Sequence, residues 1–275
     1  MRFVRTLLMG IGLGALACGP APAQERLRVC LGDVANPPFR VADANGRLLH
    51  KGLDFLFLDL LAERTGVAMQ PAFLPARRCL LELKAGQQDA VFSVSHLPER
   101  EEAGLFPLRD GQPDLSLALR VHRYVWYVRA DSGLQWDGKV LTGLAPRARV
   151  GAQTGYSIAG WLRERGFEVD DALRALHPNI EKLLRGRVAA LALQASEADG
   201  VLRRNPEWAQ ALRRLDPPLQ ERPYFVMLGR HLAAQSRWTP VQWWAAIAAV
   251  RDSPAYRQAE AEAEAEAEAE ALSAP

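Results

Sequence analysis

The sequence predicts an α/β protein of two lobes, each a mainly parallel sheet flanked by helices. Short apolar strands alternate with helices along most of the chain, an order typical of parallel strand pairing. Residues 80–95 and 181–196 also share one plan: a helix, then a basic residue shortly before a glycine, then an apolar strand. We infer two lobes of related topology from this repeat. A chance similarity of two helix–strand units is the alternative.

The chain begins with the features of a secretory signal peptide over residues 1–23. Two arginines precede an apolar run at residues 7–17, and Ala-Pro-Ala follows at residues 21–23. Because the run is shorter than the roughly 20 residues of a membrane-spanning helix, cleavage after Ala23 is favoured over a membrane anchor. We therefore expect an exported, periplasmic protein. Cys18 fits a lipoprotein signal only loosely, so lipid anchoring is the less favoured alternative.

The first lobe is predicted to comprise residues 24–121 together with residues 223–258. Its predicted elements are strands at 27–31, 67–73 and 90–94, and helices at 54–64, 79–84 and 241–250. The last helix carries an apolar stripe that is typical of a core-facing surface. That stripe consists of Trp243, Trp244 and Ile247.

The second lobe is predicted to comprise residues 122–222. Its predicted elements are strands at 149–152 and 188–193, and helices at 157–165 and 180–185, the latter with Asn179 as its N-cap. Strands at 121–129 and 224–228 are expected to cross between the lobes and form the hinge. Residues 259–275 are an Ala-Glu run with no apolar face, and its glutamates repel at i,i+4, so we expect disorder there.

Two cysteines, Cys30 and Cys79, remain after cleavage of the signal peptide. An exported chain meets an oxidising compartment, and an even number of cysteines there usually pairs. We therefore predict a disulfide between them, with two buried free thiols as the alternative.

Charge and histidine spacing limit the classes of partner. Removal of residues 1–23 takes away two arginines and no acid, so the formal charge falls from +2 to 0. No stripe of Lys and Arg interleaved with aromatic residues occurs, so a nucleic-acid partner is not expected. The five histidines are scattered without metal-ligand spacing, and neither a metal nor another cofactor is predicted.

Four polar loops lie where ligands of open α/β sheets bind, beyond the carboxyl ends of predicted strands. They offer a carboxylate, amides, hydroxyls, an aromatic ring, a guanidinium that can grip a carboxylate, and a glycine turn that exposes helix-start N–H groups. The candidate ligand-binding residues there are Asp33, Asn36, Phe39, Ser95, Arg100, Gly155, Tyr156, Ser157 and Gln194. Ordinary turns, a surface ion pair and a simple helix cap are the alternatives.

Taken in order, these loops resemble the bacterial extracellular solute-binding family 3, the polar amino-acid binders of ABC importers. The resemblance covers nearly all of residues 26–258. It rests on Asp33 with Pro37-Pro38-Phe39, Gly52-Leu53-Asp54, Arg78-Cys79-Leu80, Leu83-Lys84-Ala85-Gly86, Asp89-Ala90, Ser95 with Glu99-Arg100, Phe106-Pro107, and Gly151 through Ser157. It implies a type II periplasmic-binding fold that closes by a hinge, and it adds Arg78 to the candidate ligand-binding residues.

The resemblance also implies roles for individual residues. In the family, the residue matching Arg100 grips the α-carboxylate of the ligand, helped by helix-start amides matching residues 155–157. Three positions depart from the family pattern. Leu97 replaces a common Thr, Gln194 replaces an Asp that holds the ligand's ammonium group, and Asn36 replaces a capping aromatic residue. These departures leave the identity of the ligand open.

The predicted function is non-catalytic capture of a small polar, carboxylate-bearing, amino-acid-like ligand by hinge closure. The expected protein is a monomer that delivers its ligand to the membrane subunits of an ABC importer. A ligand sensor that docks on a receptor is one alternative. A dehydratase-like enzyme that uses Asp33 as a general acid or base in the same cleft is the other.

Overall fold

The computed structural model describes residues 25–43 and 45–273. The predicted signal peptide at residues 1–23 and Cys18 lie outside the described residues.

The first half contains β1 (Arg26–Gly32), α1 (Leu53–Thr65), β2 (Ala68–Leu74), α2 (Ala76–Lys84), β3 (Ala90–Ser95), a 3₁₀ helix (Pro98–Glu102), the hairpin of β4 (Leu108–Arg109) and β5 (Gln112–Pro113), and a second 3₁₀ helix (Leu115–Leu117).

The remaining elements follow in the same alternating order. They are β6 (Arg120–Arg129), the hairpin of β7 (Gln135–Trp136) and β8 (Leu141–Thr142), β9 (Val150–Ala152), α3 (Ser157–Glu164), β10 (Val169–Asp170), α4 (Leu176–Leu184), β11 (Ala190–Gln194), α5 (Ala195–Arg203), α6 (Pro206–Ala211), β12 (Leu212–Leu228), α7 (Leu232–Gln235), α8 (Pro240–Arg251) and α9 (Pro254–Ser273).

Eight strands form one sheet in the order β10-β9-β11-β6-β12-β3-β1-β2. At one end β1 pairs in parallel with β2 and β3, and at the other β9 pairs in parallel with β10 and β11. The arrangement around β1 is therefore repeated around β9. The two related segments of the sequence become α2–β3 and α4–β11, which confirms the prediction of two parallel α/β lobes of related topology.

The antiparallel strands β6 and β12 lie at the centre of the sheet and connect its two halves. β12 pairs with β3 on one side and with β6 on the other, while β6 pairs with β11. The β6–β12 ladder is interrupted between Leu215 and Gln220, where the register shifts. Two crossing strands are thus present as predicted, and their action as a hinge remains a proposal.

Four hydrophobic clusters of described residues fill the interior, and each lies within one predicted lobe. The stripe of α8 is confirmed as core, since Trp243, Trp244 and Ile247 are all buried in the same cluster. This separation of the cores supports lobe boundaries at 24–121 with 223–258 and at 122–222, which we retain as a proposal. None of the described helices combines the length and apolarity needed to cross a bilayer.

The predicted disulfide is present between Cys30 on β1 and Cys79 on α2. Both residues are fully buried, and their Cα atoms are 5.6 Å apart. The bridge ties α2 to the sheet at the end of β1. As a result, Ala76 and Leu80 of the same helix are held against the space between the lobes.

Gly52 allows the loop after β1 to reach the start of α1. Its φ is +101°, and a Cβ atom there would come within 2.5 Å of the Phe39 carbonyl oxygen. The backbone N–H groups of Leu53 and Asp54 donate to the carbonyls of Pro38 and Phe39, at 3.1 and 3.0 Å. This junction places Arg40, the residue after Phe39, beside the Asp54 side chain.

Asn179 does not cap α4 as predicted. The helix already begins at Leu176, and Asn179 lies inside it. Its side-chain nitrogen donates to the carbonyls of Leu173 and Ala175, at 2.9 and 2.8 Å, so the amide secures the preceding loop. Pro178 fits in the first turn of this helix, because an N–H group there has no acceptor within the helix.

The Ala-Glu tail, expected to be disordered over 259–275, is helical in α9 as far as Ser273. Ala and Glu both have high intrinsic helix propensity, which outweighs the i,i+4 repulsion of the glutamates. The helix also has an apolar side, since Ala259 and Ala263 pack against the core of the first half. Residues 274–275 lie outside the described residues.

Candidate functional site

A cavity of about 80 Å³ lies between the two halves of the molecule, beside the crossing strands. The loops after β1 and β3 border it on one side, and the starts of α3 and α5 border it on the other. Its polar lining consists of Asn36, Arg40, Ser93, Arg100, His122, Tyr156, Ser157, Gln194, Glu197 and Tyr224. These loops follow the carboxyl ends of their strands, as expected for a ligand site of an α/β sheet.

Arg100 spans the space between the two halves. It lies in the 3₁₀ helix after β3, where its Nη1 donates to the Ser95 carbonyl at 2.9 Å and to Ser95 Oγ at 2.7 Å. Its Nη2 donates to the Gly155 carbonyl of the other half at 3.1 Å. In the described part of the chain no carboxylate lies within ion-pair distance of this guanidinium, and burial lowers the pKa of Arg100.

The start of α3 faces Arg100 across the cavity. Gly155 has a φ of +84°, a left-handed conformation that other residues rarely adopt. This turn brings Ser157, the first residue of α3, close enough for Ser95 Oγ to donate to Ser157 Oγ at 3.2 Å. The N–H groups of a first helical turn have no acceptor within the helix, so they are available to an anion.

Gln194 lies at the end of β11 between two tyrosines of the crossing strands. Its Nε2 donates to Tyr224 Oη at 2.7 Å and to Tyr124 Oη at 3.2 Å, and the two hydroxyls are 2.7 Å apart. All three residues are buried. The position that resembles the family's ammonium-binding Asp is therefore occupied by an amide that donates to the protein itself.

Asp54 lies behind the cavity and binds two guanidinium groups. Its Oδ2 accepts from Arg40 Nη1 at 2.7 Å, and its Oδ1 lies 2.7 Å from Arg120 Nη2. Burial alone would raise the pKa of Asp54, but the two guanidiniums outweigh it and hold that pKa below its usual value. The three side chains form a buried cluster with a net positive charge.

Aromatic rings cover this cluster on the cavity side. The Arg120 guanidinium lies 3.9 Å from the centre of the Phe39 ring, a cation–π contact. The His122 ring meets the Phe39 ring edge-on at 5.6 Å. Burial and the Arg120 charge lower the pKa of His122 to about 3, so this imidazole is neutral at ordinary pH.

Glu197 is a buried carboxyl group in the first turn of α5, on the cavity lining. Its Oε1 accepts from the Tyr156 hydroxyl at 2.8 Å. Its Oε2 has no hydrogen-bond partner in the described part of the chain, although the Gln153 side chain lies beside the carboxyl group. Burial raises the pKa of Glu197 to about 7, against the opposing influence of Arg40.

Six of the predicted ligand-binding residues line the cavity together. They are Asn36, Arg100, Gly155, Tyr156, Ser157 and Gln194. Ser95 lies outside the lining and accepts a hydrogen bond from Arg100, and Phe39 lies under the Arg120 guanidinium. Asp33 lies outside the cavity lining, where it pairs with Arg174 of the other half.

Arg78 lies away from the cavity, and its role in ligand binding stays a prediction. Its side chain is 64 % exposed and pairs with Glu82 at 2.8 Å, one turn along α2. The face of α2 that lines the cavity is formed by Ala76, Cys79 and Leu80. Helical spacing places residue 78 on a different face.

Sequence reasoning missed Arg40, His122, Glu197 and Tyr224, all of which line the cavity. Glu197 had a usable signal, because it lies three residues after Gln194 in the first turn of a helix that begins at the cleft. Arg40 had another, since it directly follows the loop whose Phe39 was already a candidate.

The two halves are in direct contact around the cavity. Besides the Arg100 and Ser95 bonds, Ser196 Oγ donates to Asn36 Oδ1 at 2.9 Å, and Arg174 pairs with Asp33. Contacts between the two halves therefore surround the cavity in this structure. Within the described residues no group of three or more His, Cys, Asp or Glu side chains is arranged to hold a metal ion.

Solved structures resemble this architecture closely. An ancestral arginine-binding protein bound to glutamine matches with a TM-score of 0.66 at 17% identity, over 87% of this chain and 97% of that chain. A histidine kinase sensor domain with similarity to periplasmic binding proteins matches with a TM-score of 0.67 at 16% identity, over 87% and 96%. A periplasmic binding protein of Salmonella typhimurium with high arginine specificity matches with 0.64 at 14% identity, over 86% and 98%.

These likenesses show the fold: the chain has the periplasmic-binding-protein fold that the sequence motifs predicted. No family model matches the chain, and no curated protein matches it. Ligand and partner therefore have to be argued from the residues of the cavity.

Proposed function

We propose that the protein is a periplasmic solute-binding protein that captures a small, polar, carboxylate-bearing ligand between its lobes. The observation that carries this proposal is Arg100, a guanidinium between the two halves with no carboxylate partner among the described residues. A planar guanidinium binds a carboxylate through two parallel hydrogen bonds. The ligand's carboxylate would replace the Gly155 carbonyl at Nη2.

The groups around Arg100 suit the same ligand group. The hydroxyls of Ser95 and Ser157 meet there, and α3 begins at Ser157 with N–H groups that have no acceptor within the helix. These donors come from both halves of the molecule. A ligand that contacts both halves binds the closed form more tightly than the open form. It shifts the equilibrium toward the closed form by that difference in binding free energy.

Removal of the guanidinium tests this function directly. Arg100→Ala is expected to weaken binding of a carboxylate ligand by about 30-fold or more, because truncating one partner of a buried charge pair costs about 2 kcal/mol or more. Isothermal titration calorimetry with amino acids and small carboxylic acids would measure the loss. Arg78→Ala is the matched control, since that arginine is exposed outside the cavity. Equal affinities of wild type and Arg100→Ala would refute the proposal.

Delivery to the membrane subunits of an ABC importer is the transport step we propose, carried out by a monomer in the periplasm. The resemblance of the loops to family 3 binders supports this, as do the periplasmic binding proteins among the matched structures. The matched kinase sensor domain supports a ligand sensor as the second candidate. Genes for importer membrane subunits beside this gene would favour the first, and a receptor gene there would favour the second.

A non-catalytic role is part of the proposal. The matched structures are named for binding or sensing. Asp33, the candidate acid or base of the enzymatic alternative, is paired with Arg174 outside the cavity lining. Recovery of unchanged ligand after prolonged incubation would support binding alone, and turnover would support the alternative.

A further inference from the structure

We infer that Glu197 receives the cationic nitrogen of the ligand, so that the site selects a small amino acid carrying a single ammonium group. The inference deepens the proposed function and rests on it, since Arg100 is taken to hold the carboxylate. Glu197 and Arg100 line the same cavity from opposite halves of the molecule. Together they provide one anionic and one cationic contact for a zwitterion.

Among the described residues, Glu197 has neutral hydrogen-bonding neighbours but no cationic partner in contact. Within the described residues no Arg, Lys or His nitrogen forms an ion pair with its carboxylate, and the Tyr156 hydroxyl donates to Oε1. The nearest opposing charge is Arg40, which is already bound to Asp54. A buried carboxylate without a partner is costly to retain. A ligand ammonium group at Oε2 would supply the missing partner.

Gln194 does not take this role in the structure. Its amide nitrogen is a hydrogen-bond donor, and it is engaged with Tyr124 and Tyr224. Glu197 lies less than one helical turn further along the chain, at the same edge of the cleft. The negative charge therefore comes from the start of α5 rather than from the end of β11.

The remaining charges exclude a ligand with a second cation. Arg40, Arg100 and Arg120 carry three positive charges around the cleft, against the two carboxylates of Asp54 and Glu197. An additional guanidinium or lysine ammonium group would add to this excess. The cavity of about 80 Å³ also favours a short side chain. We therefore expect glycine, alanine, serine or β-alanine to bind more tightly than arginine or lysine.

Calorimetry on the full mature chain tests the inference. The panel comprises those four amino acids, their deaminated counterparts acetate, propionate and 3-hydroxypropionate, and the basic amino acids arginine and lysine. Wild type should prefer an amino acid to its deaminated counterpart by at least about 30-fold. Glu197→Gln should remove most of that preference by weakening the amino acid alone. Glu181→Gln is the matched control, since Glu181 lies outside the cavity on α4, where it pairs with Arg185.

Proton release provides a second measurement that a purely structural role would not affect. The groups facing Glu197 are Arg40 from the loop after β1, Tyr156 and Gln153 before α3, Tyr124 of β6 and Tyr224 of β12. Near pH 7 the carboxyl group is partly protonated, and an arriving ammonium group favours its ionised form. Binding to wild type should release about half a proton at pH 7, measured from heats in buffers of different ionisation enthalpy. Glu197→Gln should release none.

The possible failures are distinguishable. If no carboxylate in the panel binds wild type, the proposed function fails, and this inference fails with it. If amino acids and deaminated acids bind equally, or Glu197→Gln retains the preference while folding normally by thermal unfolding, only the role of Glu197 is overturned. Tight binding of arginine would likewise overturn the selection of a single ammonium group.

Discussion

At the scale of single residues, Asp54 balances the buried charge behind the cleft. It is fully buried, and it contacts Arg40 and Arg120 at 2.7 Å each. Neither guanidinium can reach solvent easily, because both arginines are themselves buried. The stability of this region therefore depends on the Asp54 carboxylate.

Asp54→Ala is expected to lower the free energy of unfolding by about 3–5 kcal/mol, because it leaves two buried guanidiniums without their shared partner. Urea denaturation followed by circular dichroism would measure the change. Asp59→Ala on the same helix is the control, since Asp59 is exposed. If both substitutions had similar small effects, Asp54 would not balance the cluster.

Arg100 and Arg78 show which properties of a residue the sequence can predict. Arg100 lies at the cavity because it closely follows a buried strand, where the chain direction fixes which end of the sheet it reaches. Arg78 lies away from the cavity because a helix presents its residues to different sides, and the side chain of Arg78 is 64% exposed. The position of Glu197, three residues after Gln194, indicated that it lies at the cleft, but no sequence pattern shows that its carboxyl group is buried.

At the scale of elements, the longer strands and helices of the two parallel units were predictable, whereas α5, α6, β10 and the first part of β12 were not. The predicted helix at 54–64 becomes Leu53–Thr65, and the predicted strand at 90–94 becomes Ala90–Ser95. The strong signals were apolar spacing and terminal glycines, such as Gly66, whose φ of 66° ends α1. The helical tail was mispredicted because helix propensity and packing of two alanines outweighed charge repulsion.

The disulfide between β1 and α2 is expected to contribute about 4 kcal/mol to stability, from closure of a loop with a sequence separation of 49 residues. A variant with both Cys30→Ala and Cys79→Ala should show a correspondingly lower midpoint of urea denaturation. Oxidised and reduced wild type, compared in the same assay, control for the lost side-chain packing. An unchanged midpoint in both comparisons would contradict this contribution.

At the scale of the whole molecule, the repeat of one topology produces the cleft. The order β3-β1-β2 beside β12 has the same pattern as the order β11-β9-β10 beside β6. The carboxyl ends of both sets of parallel strands therefore face a common space. The sequence predicted this because the helix–glycine–strand plan occurs twice. The volume and charge of the cavity were not predictable, because they depend on how the two halves meet through Arg100, Ser95, Asn36 and Asp33.

Closure of the two halves over a ligand is the central claim, and the distance between them is its most direct test. Spin labels at Leu81→Cys and Glu164→Cys would lie on opposite halves, where both residues border one open groove. The distance distribution would be measured by pulsed electron paramagnetic resonance with and without the amino acid that binds most tightly. We expect the ligand to shift wild type to a shorter, narrower distribution and to leave Arg100→Ala unchanged. Binding without any change in distance, or equal closure of the Arg100→Ala variant, would contradict the account.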